Sequence, residues 1–245
     1  MSLALDVGMS ARHLSYIETG RSQPSRGLII QLCEALEVPL RERNLLLLSA
    51  GYAPTYLDRD AGSPELAEIE AALGLILSKQ EPFPAVVMDR YWNYLRINRA
   101  AETLLKLFIP VPAPFALNAL RLIFHPRGLR PFLEGWDLLA ARLLQRVHRA
   151  ILVNPFDEGM RQLLGELMSY GEAPPAGRAA DIEAPPPPLH PLTLRHGTRI
   201  WRFYSTVATL GTAQDVSLQE LRIESFFPAD SATREALEAA ARAAP

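Results

Sequence analysis

A single cysteine, Cys33, stands among 245 residues, so the chain has no internal disulfide and cannot build a cysteine-rich zinc site. A reducing, cytoplasmic setting is the expectation. Lysine is almost absent as well. Of 25 basic residues only Lys79 and Lys106 are lysine, part of an Arg, Ala and Pro bias that reflects base composition before it reflects function. Charge of one sign is also missing: 27 acidic side chains against 25 basic ones leave −2, with 21% charged and 49% apolar residues. These are ordinary globular values. They exclude a uniformly basic nucleic-acid coat protein and a highly charged disordered chain, but not a local basic patch inside a balanced total. Long apolar runs are lacking too. The longest, Phe108 to Leu117, is broken by Pro110, Pro112 and Pro114, and no basic-then-apolar leader opens the chain. No membrane association is expected.

Signatures of catalysis are also absent. No G-x-S-x-G or H-E-x-x-H occurs, and His125, His148, His190 and His196 do not share a metal-ligand spacing. Asp215 and Glu220 form a carboxylate pair without a nucleophile, for which capping and solvation are the simpler roles. No residue declares itself as a haem ligand or a flavin-stacking partner. The expectation is a non-enzyme with no metal and no cofactor.

What is present divides in two. Residues 1–54 read as short helices broken at Gly8, Gly20 and Pro39, and 55–63 is a polar linker. Ser63-Pro64-Glu65 has the order of a helix start, so a second domain is expected over 64–237, followed by a tail at 238–245. That domain mixes periods. Strands are expected at Ala85–Met88, Tyr94–Ile97, Leu192–Leu194, Ile200–Leu210 and Leu218–Phe227. Helices are expected at Arg99–Leu107, Glu134–Val153 and Asp157–Tyr170, with Asn98 and Asn154 near helix starts. The stretch from Glu172 to Pro188 ends in four prolines and reads as loop.

In the first part, V-G-M-S-A-R-H-L-S-Y-I-E-T-G from Val7 carries a turn glycine, a capping serine at Ser10 and an apolar pair, Leu14 and Ile17. At about 100° per residue, Arg12, Ser15, Tyr16 and Thr19 fall on the face opposite that pair. A helix with one charged and one aromatic side chain on its polar face, following a glycine turn, has the form of a helix-turn-helix recognition element. With E-x-G-x-x-x-P-S at Glu18, Gly20, Pro24 and Ser25, the segment resembles the XRE family of helix-turn-helix regulators over about 50 residues. The resemblance implies double-stranded operator DNA as partner. It places Ala11, Arg12, His13 and Tyr16 near base edges, and Ser10, Ser15, Thr19, Arg21, Ser22 and Gln23 near phosphates. Members of that family carry one more helix ahead of the motif. Here Met1-Ser2-Leu3 already stands at the second helix, so the first is expected to be missing, leaving Leu3, Leu5, Leu14 and Ile17 less covered.

The second part carries P-A-V-V-M-D-R from Pro84, N-A-L-R-L-I-F-H-P from Asn118, G-L-R-P-F from Gly128, Trp136, and G-T-A-Q-D-V-S-L-Q-E-L-R-I-E-S-F-F-P-A-D from Gly211. Together these resemble the ligand-binding domain of MmyB-like transcription regulators, a PAS-like α+β fold behind an XRE headpiece. The resemblance implies a small apolar effector, with a fatty acid or similar lipid as its class. The residues permit this reading. Val86, Met88, Leu95, Phe124, Trp136, Leu139, Phe203 and Val207 supply apolar surface for a pocket, and Asn118, Arg121 and His125 are candidates for its polar end, arginine because it binds a carboxylate bidentately. The same apolar residues would serve any core, and Asn118 would equally cap a loop.

The fold class expected is therefore an all-α helix-turn-helix headpiece followed by a mixed α+β PAS-like domain. The function expected is a ligand-responsive DNA-binding regulator acting as a homodimer, with Trp92, Trp136 or Trp201 as interface anchor or core. The competing expectation is a lipid carrier or protein-interaction module whose headpiece is incapacitated by the missing helix.

Overall fold

The computed structural model describes residues 3–58, 66–109, 113–171, 191–211 and 215–243. Most of the expected linker, all of 172–190 and the last two residues fall outside this set. The chain forms two compact units, residues 1–66 together with 209–221, and residues 67–208 together with 222–245.

The first unit is helical. α1 (Leu3–Asp6) and α2 (Ala11–Glu18) are joined by a turn in which Gly8 has φ +67°, a conformation that L side chains rarely adopt. α3 (Arg26–Ala35) and α4 (Leu40–Ser49) complete the bundle. Local chemistry sets these boundaries: the Ser10 hydroxyl accepts from His13 N–H and the Ser25 hydroxyl from Leu28 N–H, each satisfying a first-turn donor. The core is small. Ile29, Cys33 and Leu47 are buried, with Ile30, Val38, Ala50 and Tyr52 packed around them. Burial pushes the Cys33 thiol pKa up, as expected of a packed rather than a reactive cysteine.

Residues 209–221 belong to this unit although they connect two strands of the other. α10 (Val216–Gln219) begins under an Asp215 cap, and Val216 N–H donates to Leu57 O at 2.8 Å. Gln219 Oε1 accepts from Leu40 N–H, the first amide of α4, at 2.7 Å. Arg41 makes two bonds to Glu220, of 2.7 and 2.9 Å, and a third contact to Asp58 at 2.8 Å. The expected strand Leu218–Phe227 is thereby corrected. Its first part is helix and turn, because Asp215 caps 216–219, and pairing begins only at Arg222.

The second unit is α+β. α5 (Leu66–Gln80) leads into β1 (Ala85–Met88) and β2 (Tyr94–Ile97). Then come α6 (Arg99–Phe108), α7 (Ala119–Phe124), α8 (Trp136–Val153) and α9 (Glu158–Ser169). β3 (Leu192–His196), β4 (Arg199–Ala208), β5 (Arg222–Pro228) and α11 (Ser231–Ala243) follow. The five strands form one antiparallel sheet in the order β2-β1-β5-β4-β3, the order of a PAS-like fold. Asn98 caps α6 as expected. Asn154 instead ends α8, and the start of α9 is capped by Asp157, whose carboxylate accepts from Met160 N–H. α11 runs unbroken past residue 237, where the tail was expected to begin. At Gly128 a Cβ would sit 2.2 Å from Leu122 O, so the tight passage after α7 admits no side chain.

Two apolar clusters fill the space between sheet and helices. One holds Val86, Met88, Trp92, Phe124, Leu144 and Leu163; the other holds Phe108, Leu122, Trp201, Phe203 and Leu237. Tyr94, Ile123, Trp136 and Phe226 touch both. All three tryptophans thus lie in this core. Asn98 pins its edge: its Oδ1 accepts from Ala85 N–H and Ala101 N–H, and its Nδ2 donates to Phe83 O. Replacing Asn98 by Ala would strand these buried groups and is expected to cost about 3 kcal/mol. Urea unfolding of the full chain measures it, and a loss of only a few tenths would contradict the pinning role.

Candidate functional site

The exposed face of α2 carries the DNA-reading candidates. Ala11, Arg12, His13, Ser15 and Thr19 are solvent-exposed, and Tyr16 is half-buried. Arg12 Nε donates to Tyr16 Oη at 2.9 Å, and its guanidinium lies 5.4 Å from that ring centroid, so the two side chains form one preorganised head. The Ser10 hydroxyl is engaged as a cap, Thr19 donates to Ser15 O, and the Gln23 amide donates to Ala50 O. Those three are tied into the headpiece fold, whereas Arg21 is exposed and Ser22 half-buried beside them. Leu14 and Ile17 are half-buried, while Leu5 is 63% exposed.

Within the second unit lies a cavity of about 380 Å³ between the sheet and helices α6, α7 and α8. Its size suits a small ligand. Val86, Trp92, Tyr94, Phe203 and Phe226 line it from the sheet side, and Leu104, Phe108, Leu120, Leu139 and Leu143 from the helices. Its polar groups are Arg142, Arg146, Ser205, Glu224, the Tyr94 hydroxyl and Glu134. Glu134 is already taken by Arg195, whose Nε lies 2.8 Å away. Arg142 and Arg146 stand four apart on α8 beside Leu139 and Leu143 and line the edge of the cavity, Arg142 half-buried and Arg146 exposed. Among the described residues neither is held in a salt bridge.

Electrostatics at this end are uneven. Burial raises the Glu224 pKa above the usual carboxylate range, against the lowering effects of a Ser205 hydrogen bond and of the Arg146 and Arg222 charges. Burial, with the Glu224 charge adding to it, also raises the Tyr94 phenol, which stays neutral.

Of the eleven ligand-site residues expected from sequence, the structure brings Val86, Leu139 and Phe203 to the cavity wall. The others lie elsewhere for identifiable reasons. Asn118 is 1% exposed with its side chain fully occupied, accepting from Leu120 and Arg121 N–H and donating to Tyr91 O and Asn93 Oδ1. Arg121 pairs with Glu166 at 2.9 Å, and Glu166 also accepts from Tyr170, whose phenol is pushed up to about 12 by burial and then by that bond. His125 stacks on Phe115 with centroids 4.0 Å apart; burial and then the Arg127 charge lower its pKa. Met88 and Phe124 are packed in the core, and Trp136 is wedged between Phe124 and Arg130. Leu95 falls in the register shift between β1 and β2, unopposed and 51% exposed, and Val207, at the outer end of β4, is equally exposed. Arg142 and Arg146 were missed. Their only sequence signal was an i, i+4 arginine pair flanking Leu139 and Leu143 in the 136–153 helix.

Among the described residues no group of three His, Cys, Asp or Glu side chains is placed to hold a metal ion, and no helix is long and apolar enough to cross a membrane.

The first unit has the form of a helix-turn-helix domain, and the second is a PAS-like unit with a cavity between its sheet and helices. Comparison with known families agrees: a helix-turn-helix domain matches residues 2–46, and the MmyB-like transcription regulator ligand binding domain matches residues 69–240. The chain belongs to the MmyB-like transcription regulators. Both matched families are regulatory. No curated protein matches the chain. Among solved structures it is similar to one described as an RNA-binding light-oxygen-voltage receptor, with 11% identity and a TM-score of 0.30. That match covers 98% of this chain, which spans 56% of the length of that one.

Because the folded pKa of Glu224 is raised, its stabilising contribution is complete below the unfolded glutamate pKa of about 4.3 and is lost as pH rises through the elevated value. Glu224→Gln is therefore expected to melt above the parent at neutral pH, with the gap closing near pH 4. Thermal melts across that range test this, and a gap independent of pH would contradict it.

Proposed function

We propose that this regulator reads a double-stranded operator as a homodimer and that its effector is a small apolar molecule with an acidic head, a fatty acid or similar lipid. The observation that carries the reading is the cavity itself, with an apolar wall ending at Arg142 and Arg146. An alkyl chain gains by leaving water for such a wall, and a carboxylate gains a charge-assisted, bidentate partner in a guanidinium. The polar end thus lies on α8 rather than at Asn118, Arg121 and His125.

For DNA the support is the exposed Arg12 in the first turn of α2, braced against the half-buried Tyr16. An arginine there can bind guanine O6 and N7 together, while Arg21 and Ser22 face phosphates. Two such helices on a two-fold site would meet half-sites about 34 Å apart. A headpiece with no excess of positive charge grips weakly alone, so pairing supplies the affinity. The effector acts by linkage: binding one arrangement of the dimer better than another shifts the population that fits the operator.

Two experiments test these readings. On a duplex selected by the protein from a random pool, Arg12→Ala is expected to lose about 1–3 kcal/mol of affinity by fluorescence anisotropy at moderate salt; unchanged binding would sink the assignment of α2. Across saturated fatty acids, calorimetric affinity should rise about tenfold for each two added carbons until the cavity is full. Arg142→Ala with Arg146→Ala should weaken the acids and spare their methyl esters. Acids and esters weakened alike would place the head group elsewhere.

A further inference from the structure

The 209–221 segment is packed as part of the headpiece, yet it is continuous with two strands that each carry a polar group of the cavity. Ser205 on β4 lies four residues before Thr209, and Glu224 on β5 lies three residues after Leu221. On the sensor side of the Leu221–Arg222 peptide bond, the Arg222 guanidinium sits 4.6 Å from the ring centroid of Trp92, a cavity-wall residue. On the headpiece side, Glu220 takes two hydrogen bonds from Arg41, and Gln219 accepts from Leu40 N–H at the first turn of α4. We propose that residues 219–222 are the coupling element of this regulator, linking the Trp92 wall of the cavity to α4 of the DNA-reading unit. The proposal rests on the ligand-responsive reading above.

Three physical features favour this route. Trp92 has φ +63°, a backbone conformation costly for a bulky residue and held by its turn: Trp92 N–H donates to Asp89 O, and Ala119 N–H donates to Trp92 O. A ligand pressing on that ring acts on a position with strain to relieve. The Arg222 stack is directional, so the ring and the guanidinium move together or separate. Beyond the peptide bond, the Arg41–Glu220 fork is bidentate and half-buried, with Asp58 adding a second carboxylate to Arg41. Such a fork has well-defined made and broken states, whereas a single flexible contact would absorb the motion. Coupling through a linked set of contacts of this kind is reciprocal: what α4 feels from the cavity, the cavity must feel from α4.

That reciprocity supplies a test on the full-length protein that needs neither operator nor ligand. Amide hydrogen exchange is followed in the Trp92 turn, residues 89–93, and in the first turn of α4, residues 40–44, with β3–β4 amides as internal reference. Glu220→Gln, altered only in the headpiece unit, is expected to speed exchange in the Trp92 turn by roughly two- to thirtyfold relative to the reference. Arg222→Lys, which keeps the charge and loses the planar stack, should speed exchange at 40–44 by a similar factor. Glu34→Gln, removing an exposed headpiece acid, should change neither. If each variant alters only its own unit, the proposal is overturned.

A second arm adds sodium myristate. In the parent, protection is expected both at residues 138–146 of α8 and at 40–44; in Glu220→Gln it is expected at 138–146 alone. Equal transmission to α4 in both proteins overturns the coupling element. Absence of protection at 138–146 in both overturns the lipid reading instead, and the ligand-free comparison still decides the coupling.

Discussion

Asn118 uses every hydrogen-bonding group of its side chain on the joint between the β1–β2 turn and the start of α7, a joint whose neighbours Trp92, Ala119 and Leu120 line the cavity. With the turn held at Tyr91 O and Asn93, and α7 held through the amides of Leu120 and Arg121, sheet and helix are fixed at both ends of a short lever. Asn98 does the same where β1 meets α6. Apolar packing alone drives such layers toward closure, since every unfilled volume forgoes dispersion contacts. Buried amides set a spacing that packing cannot collapse without breaking bonds that have no water to replace them. The space between these pins is where the apolar wall of the sensor remains available to a guest.

This division of labour explains which features were legible in the sequence. Strands β1 and β2 and helix α6 were readable to within a residue, because short runs of β-branched and aromatic residues, an Asn cap and a helical apolar stripe are local signals. The recognition turn was readable for the same reason: Gly8, Ser10, Leu14 and Ile17 act within their own neighbourhood. The polar end of the cavity was not. An arginine, an asparagine and a histidine in one motif, Asn118 to Pro126, drew attention to residues whose partners proved to be backbone amides, Glu166 and Phe115. Arg142 and Arg146 look from sequence like the wet side of a helix, and only the tertiary packing brings that edge of α8 beside the cavity. The start of β5 was missed because Asp215 caps a four-residue helix whose reason for existing, α4, lies about 175 residues earlier in the chain.

The charge pattern gains meaning from the same geometry. The near-zero total conceals arginines assigned to distinct work: Arg12 braced against Tyr16, Arg41 against Glu220, Arg121 against Glu166, Arg222 over Trp92. Guanidinium suits each place, since its planar fork can face a carboxylate or an aromatic ring while keeping its charge in partial burial. Two lysines in 245 residues leave few cations of the other kind for such tasks.

A headpiece assembled from residues 1–66 and 209–221 also bears on how such a protein can be rearranged. A reader domain confined to one end of a chain can be exchanged between regulators by a single genetic crossover, because everything it needs travels with it. Here the reader borrows α10 from the middle of the sensor sequence, so a single crossover delivers α4 without the groups that bind Leu40 and Arg41. Descendants with a new reader must either accept a mismatched Gln219 and Glu220 or acquire that short stretch by a second event. The specificity of the reader and the lineage of the sensor are thereby inherited together.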